Sequence, residues 1–259
     1  MKKKILAITL CIAMLAIAVV GGTLAYFTDD AMETNTMVIG NVAIDIDEWQ
    51  YVDNAWEDYE DGKFVLYPLE SEQGQLLNNK SVRTYNTSDV PATGNADDYK
   101  VYIRSFVLLE KNTELTANFV GESNCCFPGI HLAYDKYDGS SYSWTASKDG
   151  KTHYASKEAG HLTETVTVGG KEYWAIWYVA ANEDAIPVGA ALSSVHSVWM
   201  DKNITQEQAA GWGTDGVQII AFSQGIQETG LTHAEAMEAL GVVTVADLEA
   251  WAAEAAPQQ

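Results

Sequence analysis

Leu162-Thr163-Glu164-Thr165-Val166-Thr167-Val168-Gly169-Gly170-Lys171-Glu172-Tyr173-Trp174-Ala175-Ile176-Trp177-Tyr178-Val179-Ala180 decides the fold class. Ahead of the glycine pair, Thr163, Thr165 and Thr167 fall on one face and Leu162, Val166 and Val168 on the other, the period of a half-buried strand. Behind it, residues 173–179 are aromatic and apolar throughout, the composition of a strand inside a core. Gly169 and Gly170 supply the two positive φ angles that a two-residue hairpin turn requires.

The same signals recur on both sides. Asp138-Gly139 separates residues 130–137 from 141–145, and Asp149-Gly150 precedes residues 152–155. Residues 99–109 are apolar on both faces, as a central strand should be, with Arg104 expected to snorkel or ion-pair within the sheet. Val42, Ile44 and Ile46 alternate with Asn41, Ala43, Asp45 and Asp47, another half-buried strand. The acidic, aromatic residues 49–61 read as a loop. Residues 64–69 form a short strand that Pro68 confines to an edge or an end. Residues 71–98 read mostly as loop, with 81–86 able to pair. Residues 191–200 and 217–226 read as two further strands, and 29–34 as a polar linker.

About ten strands with tight turns and no intervening helix make the chain all-β, an antiparallel β-sandwich. Spacing alone does not separate a jelly roll from an immunoglobulin-like order. A short helical appendage follows at 231–259. Thr232-His233-Ala234-Glu235 is a capping box, Gly241 is a stop, and Thr244-Val245-Ala246-Asp247 opens a second helix running to about Ala255.

The N-terminus is of another kind. Lys2, Lys3 and Lys4 precede an apolar run over residues 5–20, and Thr23-Leu24-Ala25 is a small-x-small exit. This is the pattern of a secretory signal peptide, cut between Ala25 and Tyr26. The apolar run weakens at Gly21-Gly22, short of the roughly 20 residues that a membrane-spanning helix needs. The domain reading is therefore a signal at 1–25, an N-terminal extension at 26–41, a sandwich at 42–230 and helices at 231–259.

Gly21-Gly22-Thr23-Leu24-Ala25-Tyr26-Phe27-Thr28-Asp29 resembles the SipW-type signal peptides of the TasA/camelysin family of exported bacterial proteins. Asn35-Thr36-Met37-Val38-Ile39-Gly40-Asn41-Val42-Ala43-Ile44-Asp45-Ile46 fits the segment that follows in that family. Val82-Arg83-Thr84-Tyr85-Asn86 with Tyr99-Lys100-Val101-Tyr102-Ile103-Arg104, and the closing residues 216–231, match it more loosely. Gly225 stands where alanine is usual. The resemblance implies a jelly roll, export through a dedicated signal peptidase, and fibres built by donating an N-terminal strand. Phe27, Met37, Val38 and Ile39 are then the candidate donor residues.

Charge narrows the partners. The formal net charge is −21; without Lys2, Lys3 and Lys4, 12 basic residues face 36 acidic ones and it becomes −24. Such a chain repels nucleic acid and anionic membranes, and suits a soluble exported protein. Cys11 lies in the signal, which leaves adjacent Cys125 and Cys126, unable to form an unstrained disulfide. No CxxC metal pattern is present.

Nor does a catalytic motif emerge. His131, His153, His161, His196 and His233 include no HExxH, so the metallopeptidase activity ascribed to camelysin-like proteins does not carry over. GxSxG and Walker loops are absent. The acidic pairs Glu57 with Asp58 and Asp45 with Asp47 carry no glycosidase signal in so acidic a chain. Asp53, Asp58 and Asp61 are the candidate calcium ligands, without EF-hand spacing; a solvated loop is the preferred reading, and no cofactor is expected.

Two functions follow. The first is a non-enzymatic structural protein of the cell surface or biofilm matrix, secreted and fibre-forming, whose partners are itself and other matrix or wall components. The alternative is a monomeric sandwich that binds glycan or cell-wall polymer through aromatics near loops, with Trp49, Trp56, Trp144 and Trp212 as the stacking candidates.

Overall fold

Strand β6 (Val101–Glu110) has all ten residues buried, five on each side. Val101, Ile103, Val107 and Leu109 join one apolar cluster, while Phe106 and Leu108 join another. That is the central strand expected of residues 99–109. Antiparallel neighbours flank it: β14 (Ile219–Gln227) on one side and β11 (Lys171–Ala180) on the other. The aromatic stretch 173–179 therefore lies in the core. The Gly169-Gly170 turn, with φ of 57° and 81°, joins β11 to β10 (Val166–Val168) as a two-residue hairpin. The computed structural model describes residues 28–32, 42–52, 55–60, 66, 68–69, 80–90, 94–112, 114–115, 129–133, 142–195, 197–212 and 216–255.

Beyond β11 the sheet turns through a shared strand, β9 (Thr152–His161). Its second half pairs with β11, and its first half runs parallel to β12 (Ala191–Val195) and antiparallel to β8 (Ser143–Thr145). The path continues through β5 (Lys80–Asn86) and β2 (Ile44–Val52) to β3 (Ala55–Asp58). Gly160 lies in β9 where a Cβ would overlap the Trp177 indole, so this close approach admits only glycine.

The curled sheet thus faces itself. Ile44, Ile46, Val82 and Leu192 share one apolar cluster with Ile103, Val107, Ile176 and Tyr178. Inside it sits a closed ring of hydroxyls. Thr84 Oγ1 lies 3.1 Å from Ser105 Oγ and 2.7 Å from Ser223 Oγ, and the two serines lie 3.0 Å apart. Each hydroxyl both gives and accepts, so these buried polar groups satisfy one another. A second sheet comprises β4 (Pro68–Leu69), β13 (Ser197–Asp201) and β7 (Ile130–Ala133), with β4 at an edge as Pro68 requires. The result is an all-β, antiparallel-rich sandwich with short helices near the C-terminus.

The last two of those helices pack on the outer face of the sheet. Helix α1 (Gln206–Ala209) lies before β14, and α2 (His233–Leu240) and α3 (Val245–Ala255) come after it. The Thr232–Glu235 capping box and the Gly241 stop form as expected. Trp251 of α3 sits 5.9 Å from Phe106 and 6.4 Å from Phe222, ring centre to ring centre. Ala236 of α2 is buried against Tyr102 and Ile226. Within the sheet Arg104 donates to Gln224 Oε1 at 2.5 Å, and it also donates to Gly241 O at 2.9 Å and Leu240 O at 3.2 Å. It caps the carbonyls that end α2, where the helix dipole favours a cation.

Four expectations are corrected. Residues 49–61 are not simply loop, because β2 runs to Val52 and pairs with β3, and Tyr51 meets Trp56 at 5.3 Å across the pair. Such cross-strand aromatic pairs outweigh a polar composition. Residues 191–200 are two strands, β12 and β13, which lie in different sheets. The pairing of β12 with β5 also shifts register between Ser193 and Val195, a bulge. A helix does intervene among the strands: α1, announced by the Thr205–Gln208 capping box. Finally, part of the polar linker is strand β1 (Thr28–Met32), antiparallel to β14 with Thr28 opposite Ile226 and Met32 opposite Phe222.

Candidate functional site

Strands β2 and β5 and the turn from β8 to β9 enclose a cleft of about 220 Å³, lined by Asp45, Ile46, Asp47, Tyr85, Thr87, Asp149 and Lys151. The register sets its walls: Asp45 lies opposite Tyr85, and Asp47 opposite Arg83. The turn is the hairpin foreseen at Asp149-Gly150. It spans more than two residues, closing with Ala146 N–H on Lys151 O at 2.9 Å and Gly150 N–H on Ala146 O at 2.9 Å.

Asp149 is the anchor of the turn. Its Oδ1 accepts the Lys151 N–H at 2.9 Å; its Oδ2 accepts the Tyr85 hydroxyl at 2.6 Å and lies 3.0 Å from His153 Nε2. Burial pushes this carboxyl up, but the Tyr85, Lys151 and His153 hydrogen bonds together outweigh it and bring the pKa down to about 2. Burial, then the bond to Asp149, raises the Tyr85 phenol well above its ordinary value. Lys151 Nζ lies 4.4 Å from the Tyr85 ring centre and Lys148 Nζ 4.4 Å from that of Trp49, so cations cover both aromatic faces. Asp47 accepts the Trp49 indole N–H at 2.7 Å.

Chemically, these groups are spoken for. Asp149 is a fixed anion at neutral pH, Tyr85 is a fixed phenol, and His153 is wholly buried. The arrangement binds the hairpin to the sheet and leaves the exposed Asp45 at the cleft's rim.

The sequence-derived candidates fare unevenly. Ala25, Tyr26, Phe27, Met37, Val38 and Ile39 lie outside the described residues, as do Asp53, Asp61, Cys125 and Cys126. Asp58 is on β3, ion-paired with Lys148. Of the stacking candidates, Trp49 and Trp212 are buried, the latter donating its indole N–H to Glu110 O at 3.0 Å. Trp56 is half-buried against Trp49. His233 is half-buried against Tyr102 and near Glu183. Sequence reasoning missed Tyr85, Asp149 and His153 as a group. Their only signal was the Asp-Gly turn, because the tyrosine comes from a strand 64 residues away from the aspartate.

Among the described residues, His131 pairs with Asp201, His153 with Asp149, His161 with Glu158 and His233 with Glu183. A zinc hydrolase centre requires three protein ligands and an open position. No group of three or more His, Cys, Asp or Glu side chains among the described residues is placed to hold a metal ion. No helix among the described residues is long and apolar enough to cross a membrane.

Residues 1–120 match the family model described as camelysin metallo-endopeptidase. Neither a curated protein nor a solved structure matches the chain.

Proposed function

Over residues 1–120 the chain belongs to the TasA/camelysin family, and from that premise we propose that it is an exported, non-enzymatic structural subunit of the cell surface or biofilm matrix. It self-assembles into fibres by head-to-tail donation of its N-terminal strand. The observation that carries this is β1, laid antiparallel along β14, at the end of the sheet. Cleavage after Ala25 leaves two residues, Tyr26 and Phe27, between that strand and a free terminus.

A five-residue ladder contributes only a few kcal/mol, at about 1 kcal/mol for each main-chain hydrogen bond. The same ladder made by a neighbour's strand has the same bonds, so exchange costs little once subunits are concentrated. Donor strand and acceptor edge are different surfaces, so the contact need not close and propagates as a filament. Phe27, Met37, Val38 and Ile39 flank β1 and add apolar side chains to the donated segment. In this reading the sandwich is of the jelly-roll type.

Net charge sets the conditions. At −24, subunits repel at low salt, and assembly improves as salt or divalent cations screen them. The mature protein is expected to form filaments under those conditions, while a variant lacking residues 26–37 stays a folded monomer. Equal polymerisation of both refutes strand donation. The glycan-binding alternative would use the cleft beside Tyr85, without the buried Trp49 and Trp212 as stacking platforms.

A further inference from the structure

Helix α2 meets the sheet at its first turn through His233. The imidazole packs edge-on against the Tyr102 ring, centres 5.5 Å apart. Its Nδ1 lies 3.8 Å from Glu183 Oε2. Its Nε2 is buried, with no hydrogen-bond partner among the described residues. Glu183 comes from the turn after β11, at φ 58°, in the left-handed region that favours glycine. Its other oxygen holds Lys157 Nζ of β9 at 2.8 Å.

We infer that this contact is an acid-sensitive latch: the neutral His233 imidazole seats α2 on the sheet, and its protonation loosens the helix. A neutral ring needs one N–H partner and can leave the other nitrogen bare. The imidazolium carries two N–H groups, and the one on Nε2 would be buried without an acceptor. Glu183 offers only partial compensation, because it already neutralises Lys157. Asp184 in the same turn and Glu228 after β14 act on Tyr102, and Glu235 on the helix's own first turn is engaged with Thr232. Consistently, burial lowers the His233 pKa, opposed by Glu183 and assisted by Lys157.

The sign follows. A histidine whose folded pKa lies below 6.5 leaves stability intact above that pH and removes it as pH falls through 6.5. Glu183, held below the usual carboxylate range by Lys157, stays charged across that window. The latch borders the proposed assembly site, because Ile226 under α2 is the partner of Thr28 in β1. That link alone rests on the strand-donation reading; the test below reads α2 and is independent of it.

Amide hydrogen exchange of the full mature protein at pH 7.5 and 5.5, corrected for intrinsic rates, measures the opening of α2. The opening equilibrium should rise severalfold on acidification, bounded at about tenfold by the protonation of an ordinary imidazole between pH 7.5 and 5.5. His233→Phe keeps the ring on Tyr102 and should abolish the rise. His233→Asn should loosen α2 at both pH values without pH dependence. Glu183→Gln should steepen the response. A rise of equal size in His233→Phe overturns the latch, as does an NMR titration placing the His233 pKa at 6.5 or above.

Discussion

The hydroxyl ring of Thr84, Ser105 and Ser223 makes a prediction that does not run in one direction. Ser105 and Ser223 face each other across β6 and β14, and Thr84 reaches them from β5 in the opposing layer. Thr84→Val removes two of the three hydrogen bonds and leaves the serines bonded to each other at 3.0 Å. At about 0.5–1.5 kcal/mol per bond, the cost is about 1–2 kcal/mol after the gain of a buried methyl. Adding Ser105→Ala breaks the last bond and strands the Ser223 hydroxyl in an apolar core, a further cost of about 1–3 kcal/mol. Adding Ser223→Ala then removes the stranded group and should return about 1–2 kcal/mol. The double variant is therefore the least stable of the series. Urea unfolding of the mature protein, read as midpoint and slope for each variant, tests the order. Steadily additive loss from single to triple variant would refute the ring as a self-satisfying unit.

Asp149→Asn should cost about 2 kcal/mol at neutral pH, from a carboxyl lowered from 3.8 to about 2. Because that carboxyl is depressed, the stability it confers is present above pH 4 and lost as pH falls towards 2, so the variant's acid-unfolding limb should be flatter there. Gly160→Ala drives a Cβ into the Trp177 indole and should destabilise by about 1–3 kcal/mol, measured by thermal unfolding; no change would mean that β9 can shift away. Mass spectrometry of the exported protein should find Tyr26 at or within two residues of the N-terminus; full-length, membrane-bound material would make residues 5–24 an anchor.

What the sequence disclosed follows from the range of each interaction. The Gly169-Gly170 hairpin, both C-terminal helices and the doubly buried β6 were legible because turn chemistry, capping boxes and apolar runs are local. The break between β12 and β13 was not, since residues 191–200 read as one run and only their pairing with different neighbours, β5 and β7, divides them. Thr28–Met32 carries no strand pattern at all. Its extended form comes from the main chain of β14, and edge strands commonly carry charged residues. The cleft was invisible for the same reason. Tyr85 and Asp149 meet through folding, and neither is distinctive in its own neighbourhood. The Arg104 partners were equally hidden, because helix-end carbonyls carry no residue identity.

Strand donation is tested most directly by placing single cysteines on the β1–β14 ladder, in a background where Cys125 and Cys126 are serine. Asp30 and Gln224 are register partners. Mature Asp30→Cys protein and mature Gln224→Cys protein are mixed, assembled at raised salt and oxidised. If β1 is donated to the next subunit, the mixture yields a disulfide-linked heterodimer joined through residues 30 and 224, and only under assembling conditions. Filaments that form without that crosslink, while the Asp30→Cys/Gln224→Cys double variant closes its disulfide within one chain, would show that β1 stays on its own subunit.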